Sequence, residues 1–269
     1  MTLLAAALWL QAAVGQEPPK PAGWVADFGD TKCSLSRPIG PDEGTVFLLE
    51  WSAGQDSPSL LIDNRAWKKD LVSAEAPAFL VTAPNGIRTT AVAFPQSSPF
   101  RAAKGVALHR VEKGFLDALA SADQLSIEVD GRRVQEMALS GTAVAVKTLR
   151  TCNQELLRAF GVDPAVDARL KRRPQPIGGN VAQWVTNNDY PDDALRRGAS
   201  GTTVVRLRIG TEGRVRECVV VATSGDSSID RQSCAILQRR GRFEPALAAD
   251  GSSVEASLIT SLRWAMASN

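Results

Sequence analysis

Four cysteines, one histidine and two pairs of adjacent carboxylates are the residues whose types could carry chemistry. The cysteines are Cys33, Cys152, Cys218 and Cys234, and the histidine is His109. No two cysteines form a C-x-x-C pair. A tetrahedral zinc site would therefore need all four thiolates gathered from both ends of the chain. A nucleophilic cysteine would need His109 beside a free thiol. Four buried free thiols would suit a reducing compartment, whereas an even count behind an export segment favours disulfides. Pairing by region is then economical. A Cys218–Cys234 bridge closes a loop of about 15 residues, worth roughly 3 kcal/mol in the chain-entropy model. A Cys33–Cys152 bridge would bracket nearly the whole N-terminal half. The carboxylate pairs, Asp42-Glu43 and Asp192-Asp193, are neighbours in sequence. They do not converge on one substrate and read as solvated turns and helix starts. The chain has no Walker loop, no G-x-G-x-x-G and no G-x-S-x-G, and one histidine forbids H-E-x-x-H. No cofactor and no metal is expected.

The elements that must position these residues fall into two regions. Met1–Gly15 has an apolar run, Leu3 to Leu10, then Ala13-Val14-Gly15, and reads as an export signal cut before Gln16. No Lys or Arg precedes the run, and it is shorter than the roughly 20 residues of a spanning helix. The mature chain is expected to lack a transmembrane helix. Residues 23–162 read as a mostly-β domain. Its strand candidates are Val46–Trp51, Ser59–Ile62, Phe79–Thr82, Thr89–Phe94, Leu125–Val129 and Val134–Leu139, the last two joined at Asp130-Gly131. Glu112–Ala120 reads as a short helix. Thr142–Phe160 reads as a long one, with Val146, Leu149, Cys152 and Leu156 on one face as core. Residues 163–180, with Lys171-Arg172-Arg173 and Pro174-Gln175-Pro176, read as an exposed linker.

Residues 181–269 form the second domain. Asn188-Asp189-Tyr190-Pro191 opens a helix that stops at Gly198. Gly201 leads into Thr202–Ile209, where Val205, Leu207 and Ile209 alternate with Val204, Arg206 and Arg208, giving one oily and one basic face. Gly210–Gly213 turns the chain into Val215–Thr223. Ser227 and Ser228 are helix caps for Ile229–Arg240. Phe243-Glu244-Pro245-Ala246 crosses extended, and Gly251 precedes a last strand over Val254–Met266. The basic clusters, Lys171–Arg173 and Arg239, Arg240 and Arg242, carry no interleaved aromatics. Together with a net charge of +2, they argue against a nucleic-acid partner.

Tyr190, Pro191, Ala194, Gly198, Gly201, Gly213, Val215, Ser224, Gly225, Asp230, Phe243, Pro245-Ala246 and Gly251, in that order, resemble the C-terminal domain of the TonB family. The resemblance covers about residues 185–266 and does not extend to the N-terminal domain. It implies an α+β fold for this part: a three-stranded antiparallel sheet with two helices on one face. It also implies a periplasmic protein with an outer-membrane or envelope partner. That partner's extended segment would pair with the last strand, with Ser257, Ile259, Ser261, Arg263 and Trp264 as binding residues. The same edge offers a homodimer. The family's energy transducers carry a membrane helix and a long Pro-rich spacer, and a folded domain stands in their place here. The expectation is therefore a non-catalytic periplasmic binding protein. The alternatives are a membrane-attached transducer, or an enzyme or ligand carrier residing in residues 23–162.

Overall fold

A computed structural model describes residues 23–39, 44–98 and 102–266. The export segment 1–15, the following tail and the Asp42-Glu43 pair lie outside the described residues.

Among the described residues, the N-terminal region has nine strands and two helices in chain order. These are β1 (Val25–Phe28), β2 (Lys32–Ile39), β3 (Thr45–Ser52), β4 (Ser59–Asn64), β5 (Ala76–Ala83), β6 (Arg88–Ser97), β7 (Lys104–His109), α1 (Phe115–Ala120), β8 (Gln124–Val129), β9 (Arg132–Ala138) and α2 (Thr142–Ala159). The strands form one antiparallel sheet in the order β1-β2-β3-β4-β7-β6-β5-β8-β9. Every expected strand is present. β1, β2 and β7 are additions, since their mixed composition gave no clean alternation.

Period-two burial explains the sheet's inner face. Phe47 and Leu49, Leu60 and Ile62, and Leu125 and Ile127 are buried in pairs two residues apart, and they pack with Phe115 and Leu119 of α1 and Val146 and Leu149 of α2. Each such aliphatic side chain contributes roughly 1.5–3 kcal/mol on leaving water. Trp24 and Arg37, from the β1–β2 end, both donate to the Ser140 carbonyl, at 3.0 and 3.2 Å. The sheet thus curls until its first edge meets the chain leaving its last strand. Cys33 of β2 is bonded to Cys152 of α2, with Cα atoms 6.1 Å apart.

The remainder comprises α3 (Pro164–Asp167), β10 (Gln175–Pro176), α4 (Asp192–Arg197), β11 (Gly201–Ile209), β12 (Val215–Ala222), α5 (Ser227–Arg240), β13 (Phe243–Glu244), β14 (Ala246–Leu247), β15 (Ser253–Val254) and β16 (Ala256–Trp264), with 3-10 turns at Val181–Trp184 and Asn187–Asp189. The main sheet is antiparallel, ordered β12-β11-β16. The chain is α+β, as expected. Several boundaries move, among them the end of the last strand, which stops at Trp264 and not at Met266. Asp226, not Ser227 or Ser228, caps α5, because its carboxylate accepts from the backbone N–H groups of Ser228 and Ile229 at 2.9 and 3.3 Å. The last strand starts at Ala256, because Val254 pairs back with Ala246 in a separate short ladder.

The stretch 163–180 is not the exposed linker that its Pro and Gly content suggests. β10 pairs with β13, and Arg172 pairs with Glu244 at 2.5 Å. Arg173 ion-pairs Asp167 and also Asp56, the latter at 2.7 Å. Turn-forming composition removes regular structure but does not prevent packing.

Those contacts draw the two regions together. One face of the β12-β11-β16 sheet carries Val205, Leu207 and Ile209 against Ile229, Ile236 and Leu237 of α5. The other face meets the N-terminal region, where Ala53, Leu157, Phe160 and Val162 bury Ile259, with Val204 and Val221 at the margin. The basic face of β11 is turned the same way and is neutralised there. Arg206 donates to the Gly161 carbonyl at 3.0 Å, and Arg208 lies 3.6 Å from both Glu217 and Glu255.

Candidate functional site

β16 is long, regular and one-sided. Its pairing with β11 runs without a register shift from Ala256↔Ile209 to Trp264↔Gly201. Among the described residues no strand pairs with its other edge. That edge borders a groove of about 770 Å³ between the two regions. Leu258 to Ser261 and Arg263 form one side of the groove; Ser57, His109 and Arg110 come from the N-terminal region, and Gln175 and Asn180 come from the intervening stretch.

The closeness of the two walls depends on Gly54. Its φ is +79°, and a Cβ there would stand 2.7 Å from the Ile259 Cβ. Only glycine takes this backbone conformation without strain and leaves room for β16. Arg173 reinforces the contact, holding Asp56 of the N-terminal region and Asp167 of α3 at once.

Of the five residues expected to meet a partner, Ser261 and Arg263 are exposed and Ser257 is half-buried. Ile259 and Trp264 are only 3% and 4% exposed. Their side chains do not select a partner. Ile259 is spent on the contact between regions. Trp264 points to the helix face, where its indole N–H donates to Ser233 Oγ at 2.9 Å and its ring meets Tyr190 edge-on at 5.3 Å. The alternation that puts Leu258, Leu262 and Trp264 on the helix side leaves Ser257, Ser261 and Arg263 on the other.

The motif residues build the frame behind this edge. Tyr190 donates to the Ala199 carbonyl at 2.5 Å, which closes the turn around α4. Pro191 is the residue that opens α4, and Gly198 is the one that ends it. Gly201 approaches the Ser224 carbonyl so closely that a Cβ would stand 2.2 Å from it. Gly213 has φ +75° and accepts the Phe243 N–H at 2.9 Å, so the hairpin turn is tied to β13. Ser224 and Gly225 form the turn over Asp230, a buried carboxylate that accepts from Thr203 at 2.8 Å, Thr223 at 2.5 Å and the Ser224 N–H at 2.9 Å. Three donors satisfy the charge, which is the condition for burying it. Phe243 packs edge-on against Trp184 at 5.2 Å. The Pro245 carbonyl accepts from Arg172 at 3.3 Å.

Electrostatics secure the segment beside β16. Arg240 donates to both oxygens of Asp189, at 2.6 and 2.8 Å, and Thr186 caps the same carboxylate. The Arg240 guanidinium, followed by the Thr186 donors, outweighs burial and holds the Asp189 carboxyl well below the usual carboxylate range. The basic residue at the end of α5 thus serves as a strut, as Arg172 and Arg173 do in the 163–180 stretch.

The cysteines are spent structurally. Cys218 of β12 is bonded to Cys234 of α5, with Cα atoms 5.6 Å apart, and together with Cys33–Cys152 this leaves no free thiol among the described residues. A four-cysteine zinc site and a Cys/His dyad both need thiols that do not exist. His109 stacks edge-on with Phe94 at 5.5 Å. Burial, and then Arg110, lower its pKa. Its place in the groove was not legible in sequence, nor were those of Ser57 and Arg110. They lie roughly 150 to 200 residues from β16, and no local pattern joins them.

Among the described residues no helix is long and apolar enough to cross a membrane. No curated protein and no solved structure matches this chain. Residues 186–266 match the family model of the Gram-negative bacterial TonB protein C-terminal. The frame of Tyr190, Gly213, Asp230 and Trp264 that backs the open strand is therefore that of a TonB C-terminal domain, a transport-associated, non-catalytic module of the bacterial envelope.

Proposed function

We propose that this protein is a non-catalytic periplasmic binding protein that receives an extended segment of an envelope or outer-membrane protein along β16. The observation that carries the reading is the outer edge of β16, unpaired among the described residues and bordering the groove. A row of free N–H and C=O groups on a flat strand is a template for one more strand. Main-chain hydrogen bonds supply affinity, and the side chains of the incoming strand that face the groove supply selectivity. Two disulfides suit an oxidising compartment.

Backbone amide spectra of the isotope-labelled protein test this. On titration with end-blocked ten-residue peptides of alternating Thr and Val, the largest shifts should fall on residues 257–263. Shifts confined to β12, or none at millimolar peptide, would sink the reading. The compartment is tested by sequencing the N-terminus of the protein from soluble and membrane fractions of the native envelope. A start near Gln16 in the soluble fraction supports a free periplasmic module. An intact or longer N-terminus in the membrane fraction restores an energy transducer.

A further inference from the structure

The groove combines residues from regions far apart in sequence, and its charges do not cancel. Glu50 is closed by Lys32. Asp56 is closed by Arg173 at 2.7 Å, with Lys113 at 3.9 Å. Arg173 is fully committed to Asp56 and Asp167. His109, with its pKa lowered by burial and by Arg110, is neutral near pH 7 and offers a ring nitrogen but no charge. Two charges are left. Arg263 is exposed and has no ion-pair partner among the described residues. Arg110 has a side chain 72% exposed, and its one partner, Glu75 at 3.3 Å, is itself 54% exposed. Such a pair is worth little in water and yields readily to a better-held carboxylate. The uncompensated charge of the groove is positive, although the whole chain carries only +2.

We propose that the N-terminal region is the second wall of the strand-receiving groove, and that Arg110 from that wall and Arg263 from β16 select an extended segment bearing a carboxylate side chain. This rests on the reading of β16 as the receiving edge. A strand laid along β16 projects every second side chain to the same side, about 6.6 Å apart. A Glu or Asp there meets guanidinium groups, which bind carboxylates through two parallel N–H···O bonds. The second wall removes water from the pair, so the interaction is stronger than an ion pair on an open sheet edge. Residues 181–269 of this chain without the N-terminal region would keep Arg263 but lose Arg110.

The test uses the full chain and three end-blocked ten-residue peptides of alternating Thr and Val, carrying Glu, Gln or Lys at two central same-face positions. Affinity is read by fluorescence anisotropy, and the contact is mapped by amide shifts. The expected order is Glu over Gln over Lys, with Glu favoured over Gln by about tenfold at low salt and less at high salt. Arg263→Ala and Arg110→Ala should each bring the Glu peptide down toward the Gln peptide. The charge reversal Arg110→Glu should turn the preference toward Lys, a gain that an unfolded variant cannot produce. Equal binding of all three peptides, with shifts on β16, overturns the carboxylate preference and leaves the edge reading intact. Loss of preference in Arg263→Ala but not in either Arg110 variant overturns the second wall. Binding that maps away from β16, or no binding at all, overturns both. Sedimentation showing a concentration-dependent dimer whose formation excludes the peptides would assign the groove to a second copy and overturn the proposal.

Discussion

The small sheet has two edges, and they are built differently. β16 pairs with β11 in unbroken register. β12 pairs with the same strand through register shifts at Val204/Val205 and Arg208/Ile209. β12 also carries Arg216 in an exposed ion pair with Glu212 at 2.8 Å and is fastened to α5 by Cys218–Cys234. Bulges bend a strand away from a would-be neighbour, and charges on the edge penalise pairing. β16 has neither device along most of its length, and its one edge charge, Arg263, opens on the groove. Within one sheet, then, one edge is closed to strangers and the other is left flat. The difference lies in backbone regularity as much as in side chains.

The comparison can be broken or sharpened by substitution. The largest effect is expected from replacing Cys218 and Cys234 together by Ser. Losing a loop closure of this length costs about 3 kcal/mol, visible in thermal or denaturant unfolding. If β12 is only the fastened edge, peptide titration of the folded double variant should still shift residues 257–263. Shifts that disappear with the disulfide would mean that the two edges are not independent.

Next in size is acid sensitivity through Asp189, which braces the segment beside β16. Its folded-state carboxyl titrates below the unfolded-chain value of about 3.9. Its stabilisation is therefore fully present above that value and is lost as pH falls toward the folded-state value. Asp189→Asn should lower the melting temperature at pH 7 and flatten the fall of stability below about pH 4. Parallel acid limbs in wild type and variant would contradict the Arg240–Asp189 strut.

A smaller effect is expected at the end of the open strand. Trp264→Phe keeps the ring against Tyr190 but removes the hydrogen bond to Ser233 Oγ, at a cost of about 1 kcal/mol. Denaturant midpoints measure it. Because Trp264 faces the helices, peptide selectivity should not change with this substitution. The smallest effect belongs to the closed edge. Arg216→Ala should move stability by less than about 0.5 kcal/mol, and anisotropy should return wild-type peptide affinity.

Much of this molecule is legible in its sequence, and the legible part has a common cause. Alternating apolar residues such as Val205, Leu207 and Ile209 assign a strand and its buried face together, since the side-chain period of a strand is two. The α2 stripe through Val146, Leu149 and Cys152 did the same for a helix and placed Cys152 on the face that meets β2. Misreadings came where local and tertiary preference compete. The stretch 163–180 looks like a free tether by composition, yet Arg173 is fixed by two aspartates from different elements. Trp264 and Arg263 are neighbours in sequence, but the pleat sends them to opposite faces.

The sequence by itself carried the alternation of β11, the helical stripe of α2 and an even cysteine count that favours pairing within each region; its resemblance to the TonB family added the ordered motif through Tyr190, Gly213, Asp230 and Phe243 and a last strand expected over Val254–Met266. The strand and helix patterns depend on periodicity, which is local, whereas the motif is what the resemblance implies. Only the tertiary structure decided that β16 faces a second wall, that Ile259 is buried under Ala53 and Leu157, and that Arg110 and Arg263 border one groove. Those outcomes depend on shape and charge fitting between segments roughly 150 to 200 residues apart, where a glycine at position 54 admits an isoleucine at position 259, and no short stretch of chain encodes that fit.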